Sequence, residues 1–175
     1  MELKEAIDLI RTPYLDSITP QSWADLGAGT GMFTKALAHL IGDNSTIYAV
    51  DKNIADLQQI QAPAQVVIKT LKADFINDPL HLTGLTGILM ANSLHFVKDK
   101  FSFLDKIRES MSEGSAFLIV EYDTNKANQW VPYPIGFTML KQLFEELGYD
   151  TIEKINDMPS RYNNNKIYSA WINAK

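Results

Sequence analysis

The stretch that most constrains the fold of this chain lies at residues 24–31 and reads Ala-Asp-Leu-Gly-Ala-Gly-Thr-Gly. It follows a short apolar run and precedes an amphipathic run, so it predicts a strand, a glycine loop and a helix over residues 32–41. Glycines at alternate positions let the backbone turn sharply and let a ligand approach the main chain closely. The helix that follows directs unpaired N–H groups at the loop, which predicts a site for a carboxylate or a phosphate.

The carboxylate of Asp25 helps to distinguish between these two anions. We predict it at the carboxyl end of the strand, where it would repel a pyrophosphate and attract an ammonium or a sulfonium ion. A ligand with both a carboxylate and a cation satisfies both features, as the methionine half of S-adenosylmethionine does. The dinucleotide fingerprint G-x-G-x-x-G also needs a third small residue for close helix packing. Met32 occupies that position, so the fingerprint fails there.

Length and composition indicate one domain, residues 1–175. The hydrophobic share of 46% and the charged share of 21% are ordinary for a globular protein. The net charge of −5, without a basic cluster, argues against a nucleic-acid partner. The absence of cysteine excludes disulfides and thiolate metal sites, and the three histidines lack metal-binding spacing, so no metal is predicted.

Hydrophobic patterning gives no sign of a membrane partner. No run approaches the roughly 18 apolar residues of a membrane span, and the N-terminus lacks the apolar core of a signal peptide. We therefore expect a cytoplasmic protein. Within residues 1–21, apolar side chains at helical spacing predict a short helix, which either packs on the sheet edge or acts as a lid with Tyr14 as a ligand contact.

The motif D-L-G-A-G-T-G, beginning at Asp25, resembles motif I of the class I S-adenosylmethionine-dependent methyltransferases, most closely the small-molecule type. Further landmarks extend the resemblance over roughly residues 24–122. It implies a Rossmann-like, doubly wound α/β fold with a seven-stranded, mostly parallel sheet in the order 3-2-1-4-5-7-6 and one antiparallel strand near the C-terminus. It also implies S-adenosyl-L-methionine as cofactor and a small-molecule acceptor, and it leaves the oligomeric state open. The alternation of strands and helices independently predicts a parallel sheet.

Two acidic landmarks follow the motif. Asp51 ends the predicted second strand, residues 45–50, where an acid can accept hydrogen bonds from a ribose diol. After the predicted third strand, residues 65–71, Asp74 would accept from the adenine amino group, although an aspartate after a strand is often only turn chemistry. The resemblance therefore implies a cofactor site made of Asp25, Gly27, Ala28, Gly29, Gly31, Asp51, Lys52, Asp74, Phe75, Asn92 and Ser93.

The segment 92–97, Asn-Ser-Leu-His-Phe-Val, follows the predicted fourth strand, residues 87–91, and resembles the family's L-H-x-V stretch beside the reactive methyl. His95 acts there as a general base, positions the substrate, or only packs against the next helix. Glu121 and Tyr122, after the predicted fifth strand at 116–120, are further base candidates. We assign the catalytic role to His95 and Tyr122 and the substrate contacts to Tyr14, His95, Trp130 and Tyr133.

The rest of the chain completes the predicted architecture. The loop 124–135 carries Trp130 and Tyr133 and either forms a substrate wall or is packed structure. Arg161 either contacts an anionic substrate or is a solvated turn residue. Prolines and glycines argue against a long helix between the third and fourth strands. The other predicted elements are helices at 53–61, 99–111 (ended by Glu113-Gly114) and 136–147, strands at 149–155 and 166–173, and a helix cap at Gly42.

The predicted activity is direct, in-line transfer of the sulfonium methyl to a small-molecule nucleophile. Because the sulfonium is already activated, the protein mainly supplies alignment and excludes water. One alternative is a non-catalytic S-adenosylmethionine-binding module, since a fold does not determine a function. The other is a nicotinamide-dependent oxidoreductase, since Asp51 also lies where a ribose-binding acid of such enzymes would lie, but Asp25 and Met32 argue against it.

Overall fold

A computed structural model of the chain describes residues 1–15, 18–61, 63, 65–160 and 166–173. Strands and helices alternate along most of it, as the sequence predicts. The strands are β1 (Ser22–Leu26), β2 (Thr46–Asp51), β3 (Val67–Lys72), β4 (Leu85–Ala91), β5 (Met111–Tyr122), β6 (Thr151–Pro159) and β7 (Lys166–Asn173). The α-helices are α1 (Leu3–Ile10), α2 (Met32–Ala38), α3 (Lys100–Ile107) and α4 (Phe137–Glu146).

The strands form one seven-stranded sheet in the order β3-β2-β1-β4-β5-β7-β6. Strands β1 to β5 run parallel, and β7 runs antiparallel to both β5 and β6. The predicted fold class and strand order are therefore confirmed. Because parallel strands end at the same edge of a sheet, the loops after β1, β2, β3 and β4 lie together there.

The sheet is covered on both faces, which explains why its central strands are mostly apolar. Along β1 the side chains alternate: Trp23 joins a core that contains α1 and α2, whereas Ala24 and Leu26 join the opposite core. That opposite core receives Leu104 from α3 and Phe144 from α4. The alternation fixes the register of β1 and so places Asp25, between Ala24 and Leu26, at a defined height near the end of the strand.

The segment between β2 and β3 corrects one prediction. Residues 53–61 do not form a helix but only a 3-10 turn at Leu57–Gln59. The side chain of Asn53 accepts the N–H of Ala55 at 3.1 Å, a local bond that competes with helical hydrogen bonding. Ile60 then leaves the turn with extended backbone. In contrast, the prediction that no long helix joins β3 to β4 is confirmed.

Two further element boundaries differ from prediction. Helix α2 ends at Ala38 and not at residue 41, with His39 as its C-cap residue, so Gly42 does not cap it. Helix α3 ends at Ile107 and passes into a 3-10 turn at Arg108–Ser110.

Strand β5 is longer than predicted and begins at Met111, which pairs with Leu85 of β4. This pairing draws the preceding residues out of the helix that the sequence predicted to extend through Met111. Glu113 and Gly114 therefore lie within β5 and do not end a helix.

The N-terminal helix packs against α2, β6 and β7. Its buried side chains are Ala6, Leu9 and Ile10, and the carbonyl of Leu9 accepts a hydrogen bond from the Ser169 hydroxyl of β7. No helix of the described residues is long and apolar enough to cross a membrane. The cytoplasmic location stays a prediction, and Arg161 lies outside the described residues.

Gly87 of β4 lies opposite Trp23 of β1, and a Cβ at this position would overlap the six-membered ring of the indole. Trp23 is buried in the core between the sheet, α1 and α2. We expect Gly87→Ala to lower the free energy of unfolding by roughly 1–3 kcal/mol, the cost of overpacking a core. Urea unfolding measures this effect. In a Trp23→Phe background, Gly87→Ala should lower the free energy of unfolding by less, because the smaller ring leaves space for the added Cβ. An equal loss with tryptophan and with phenylalanine at this position would contradict the explanation.

Candidate active site

A cavity of about 680 Å³ opens at the carboxyl ends of the parallel strands. Its volume is within the range of small-ligand sites. All of the predicted cofactor residues except Gly31 line it. The prediction missed five apolar wall residues: Met32, Phe33, Ile76, Ala91 and Phe96. Each of them adjoins a feature that the sequence analysis had identified: the glycine loop, Phe75, Asn92 or His95. This adjacency is the only signal in the sequence that could have indicated them.

The glycine loop shapes the cavity through two close approaches. Gly27 has φ 80°, and a Cβ on it would lie 2.6 Å from Cβ of Ser93 and 3.1 Å from the Phe75 ring. Gly31 has φ 77°, and a Cβ on it would overlap the side chain of Ile60, which explains why Gly31 packs beside the cavity and does not line it. Both positions therefore require glycine for conformation and for space.

Asp51 at the end of β2 supports this loop. One carboxylate oxygen accepts the N–H of Gly29 at 2.8 Å, and the other accepts the N–H of Asn53 at 2.9 Å. The N–H of Gly31 donates to the carbonyl of Ala28. Two N–H groups of the glycine loop are thus bonded within the protein. Each Asp51 oxygen keeps a further lone pair, so the predicted contact with a ribose diol stays available.

Asp25 presents an unpaired acceptor to the cavity. Its Oδ2 accepts a 2.6 Å hydrogen bond from the Thr34 hydroxyl, whereas its Oδ1 is buried without a partner among the described residues. Burial raises the pKa of Asp25 to about 7. The hydrogen bond from Thr34 acts to lower this pKa, and the negative charge of Asp51 acts to raise it further. An unpaired buried carboxylate oxygen is costly, so this atom indicates a ligand that donates to it.

Asn92 presents a second unpaired acceptor on the same wall. It follows β4 with φ 53°, and its N–H donates to the carbonyl of Val120 at 2.8 Å. Its Oδ1 is buried and has no partner within the described part of the chain. Left-handed backbone at a residue other than glycine is a strain that concentrates at functional sites. Asp25 and Asn92 together fit a ligand that carries an ammonium group.

Asp74 after β3 forms the opposite, hydrogen-bonded side of the cavity. It accepts from the N–H of Ile76 at 3.1 Å and from the Asn77 amide at 2.8 Å, and the Lys52 ammonium lies 2.9 Å away. Burial acts to raise the pKa of Asp74, but these bonds outweigh it and hold the pKa at about 2. The side chain is therefore an ionised acceptor at neutral pH. Phe75 packs edge-on against Phe103 beside it.

The Ser93 hydroxyl donates to the Leu26 carbonyl at 2.6 Å and ties the ends of β4 and β1 together. His95, within a 3-10 helix at Leu94–Phe96, is 3% exposed and does not line the cavity. Glu121 is 1% exposed; one of its oxygens accepts the N–H of His95 at 3.0 Å and the other lies 2.7 Å from Nδ1 of His95. Glu121 thus holds both the backbone and the ring of the histidine.

The other predicted catalytic and substrate residues lie away from the cavity wall. Tyr122 lies beside the His95 ring, with the centroids 6.3 Å apart. Tyr14 stacks on Trp171 at 5.3 Å. Trp130 is 75% exposed. The N–H of Tyr133 donates to the carbonyl of His95 at 3.0 Å, but the Tyr133 side chain does not line the cavity. The structure therefore gathers the cofactor residues but not the acceptor residues, and their predicted roles stay predictions.

The chain belongs to the methyltransferase domain family, whose family model matches residues 24–119. The predicted class, the S-adenosylmethionine-dependent methyltransferases, and its cofactor are thereby confirmed. Comparison with curated protein sequences finds no match.

Solved methyltransferase structures share this fold at low sequence identity. One is 1,6-didemethyltoxoflavin-N1-methyltransferase from Burkholderia thailandensis with bound 1,6-didemethyltoxoflavin and S-adenosylhomocysteine: 16% identity, TM-score 0.71, 99% of this chain and 78% of that chain. A second is phosphoethanolamine N-methyltransferase 2 from Haemonchus contortus with S-adenosyl-L-methionine: 12% identity, TM-score 0.70, 98% of this chain and 52% of that chain. A third is the plantazolicin methyltransferase BpumL with S-adenosylhomocysteine. The identity is 12% and the TM-score 0.67, and the match covers 99% of this chain and 83% of that chain.

Proposed function

We propose that this methyltransferase transfers the sulfonium methyl of S-adenosylmethionine to a small-molecule acceptor. The observation that carries the proposal is the unpaired Oδ1 of Asp25 on the wall of a cavity lined by the glycine loop. The small-molecule ligands bound to the structurally similar enzyme from Burkholderia thailandensis support this class of acceptor. The described strands carry no inserted domain that would bind a macromolecular substrate.

The amino group, the ribose and the adenine of the cofactor each have a partner of matching chemistry in this cavity. Asp25 and Asn92 supply the unpaired oxygens that receive the amino group. Asp51 accepts from the ribose hydroxyls. Asp74 accepts from the adenine amino group, while Phe75 and Ile76 enclose the ring. Polar contacts at both ends of the cavity fix the orientation of the cofactor, and the apolar walls exclude water.

The cofactor, when bound, supplies a methyl group on a positively charged sulfur that is already a good leaving group. The chain's own residues then act through position more than through proton transfer. Glu121 does not serve as a base, because both of its oxygens are occupied by His95 and it is buried. His95 holds Phe96 at the cavity wall, so its role in this proposal is to position that wall.

The first test is calorimetric and thermal-shift binding with S-adenosylmethionine, S-adenosylhomocysteine and NADH in parallel. A ligand at 100 times its Kd stabilises the fold by about 2.7 kcal/mol. Binding of the two adenosyl ligands alone supports the proposal. Binding of NADH alone, or of none, contradicts it. Release of S-adenosylhomocysteine during incubation with a library of small acceptors then separates the enzyme from a non-catalytic binding module.

Asp51 provides a more specific test of the cofactor orientation. We expect Asp51→Ala to weaken S-adenosylmethionine binding by roughly 1.5–3 kcal/mol, the scale of a hydrogen bond to a charged group. Calorimetry measures the change. Asp56→Ala, at an exposed aspartate in the same β2–β3 segment, is the matched control and should bind as the wild type does. Unchanged affinity in Asp51→Ala would mean that the ribose is placed elsewhere.

A further inference from the structure

The rim of the cavity carries exposed aromatic rings that the cofactor assignment does not use. Phe96 lines the cavity and is 50% exposed. Tyr133 is 40% exposed and belongs to the loop after β5. Its N–H donates to the carbonyl of His95, and this hydrogen bond joins the loop to the segment that carries Phe96. Exposed aromatic rings grouped beside a ligand cavity are typical of ligand-binding surfaces.

A half-buried cation lies within this aromatic rim. The Lys100 ammonium donates to the carbonyls of Val97 at 2.8 Å and Tyr133 at 2.7 Å, and it lies 5.8 Å from the centre of the Tyr133 ring. An ammonium has three N–H donors, so one remains beyond these two bonds. Across the residues that the structure describes, no carboxylate lies within salt-bridge distance of Lys100.

Glu121 carries the negative charge that acts on Lys100, and this carboxylate is already engaged. Glu121 raises the pKa of Lys100, but burial of the ammonium has the larger effect and lowers it. The oxygens of Glu121 are hydrogen-bonded to His95. A half-buried ammonium with a remaining donor and no ion-pair partner attracts an anion, and the attraction is stronger than for a solvated lysine because the local dielectric is lower.

We propose that the acceptor is an aromatic compound with an anionic substituent, whose ring packs on Phe96 and Tyr133 while its anionic group pairs with Lys100. This inference rests on the proposed function and specifies its substrate class. Stacking on exposed rings supplies orientation. The charge pair supplies discrimination against neutral analogues and locates the acceptor at the rim, beside the cofactor cavity.

The test compares three probes of similar size on the full chain saturated with S-adenosylhomocysteine. Benzoate has the ring and the charge, benzamide lacks the charge, and cyclohexanecarboxylate lacks the aromatic ring. NMR titration of the Phe96 and Tyr133 backbone amides reports both the affinity and the location. We expect benzoate to bind at least about tenfold more tightly than either analogue, a free-energy difference of about 1.4 kcal/mol.

Variants identify the two contacts separately. Lys100→Gln should abolish the preference for benzoate over benzamide, and Lys100→Arg should retain it. Lys98→Gln, at an exposed lysine in the same segment, is the matched control and should retain it as well. Phe96→Leu should abolish the preference for benzoate over cyclohexanecarboxylate. If Lys100→Gln does not fold, the wild-type comparison of the three probes decides the question alone.

The outcomes separate this inference from the proposed function. Saturable S-adenosylhomocysteine binding with no preference among the probes, or with shifts away from Phe96 and Tyr133, overturns the acceptor class and leaves the methyltransferase function standing. Failure of S-adenosylhomocysteine to bind overturns both. Equal benzoate binding by wild type and Lys100→Gln shows that Lys100 only joins two backbone segments and overturns the anionic part.

Discussion

Glu121→Ala is expected to lower the free energy of unfolding by roughly 3–5 kcal/mol, the cost of breaking a buried pair by removing one partner. The glutamate is 1% exposed and receives two hydrogen bonds from His95, which is itself 3% exposed. Without the carboxylate, a backbone N–H and a ring nitrogen remain buried without their partner, and neither gains access to water. The expected loss of unfolding free energy is large because the Glu121 carboxylate is the hydrogen-bond partner of both the backbone N–H and the ring nitrogen of His95.

Two variants check this explanation by urea unfolding. Glu113→Ala removes an exposed glutamate from the same strand and should change the free energy of unfolding by less than about 0.5 kcal/mol. Glu121→Gln retains one oxygen for the His95 N–H and should cost less than alanine does. Cofactor affinity should remain near the wild-type value in any variant that folds, because neither Glu121 nor His95 lines the cavity. A Glu121→Ala protein as stable as wild type would show that the pair contributes nothing.

Asp25 is expected to make the ligand-free protein less stable as pH rises. Burial raises its folded-state pKa from 3.8 to about 7, so between these values the folded state holds a proton that the unfolded state has lost. Each pH unit in this window then lowers the free energy of unfolding by about 1.4 kcal/mol, about 4 kcal/mol in total. The stabilisation is complete below pH 4 and is lost as pH approaches 7.

Asp25→Asn isolates this contribution from every other titrating group. The difference in free energy of unfolding, variant minus wild type, should increase by about 4 kcal/mol from pH 4 to pH 7, because only the wild type loses stability through this residue. Asp56→Asn controls for removal of a negative charge at an exposed position. A pH-independent difference would mean that Asp25 is ionised throughout.

The same carboxylate should make cofactor affinity depend on pH in the opposite direction. An ammonium group binds ionised Asp25, so affinity for S-adenosylmethionine should rise with pH until about pH 7 and then level off. Calorimetry at several pH values measures this trend. In Asp25→Asn, affinity should be weaker and should no longer follow pH in this range.

The parallel sheet and the cofactor cavity were predictable because both depend on local sequence, whereas the strand order followed from the family resemblance. Three glycines with an adjacent aspartate define a turn that few other sequences allow, and Asp51 and Asp74 each follow a strand that the sequence identifies. Side chains at the ends of parallel strands meet at one edge of the sheet whatever the details of the intervening segments. The incorrect helix at 53–61 therefore did not misplace Asp51 or Asp74.

The acceptor side was less predictable because it depends on contacts between distant residues. Nothing in the sequence indicates that Glu121 binds His95 through both oxygens, since the two residues are separated by most of α3 and β5. Tyr14 is aromatic and near a helix end, but the partner that determines its position is Trp171 on β7. Local turn chemistry at Asn53 likewise outweighed the helical pattern that followed it.

The attachment of α1 to the last strand has a consequence for how the protein acquires its structure during synthesis. The Ser169 hydroxyl reaches the Leu9 carbonyl, and Tyr14 stacks on Trp171, so the surface on which α1 packs is completed by residues translated much later. A ribosome-bound chain that ends before β7 already contains α2, on which α1 packs, but the part of α1 that packs on β7 stays uncovered. The packing of α1 is therefore expected to be completed only after β7 has been synthesised.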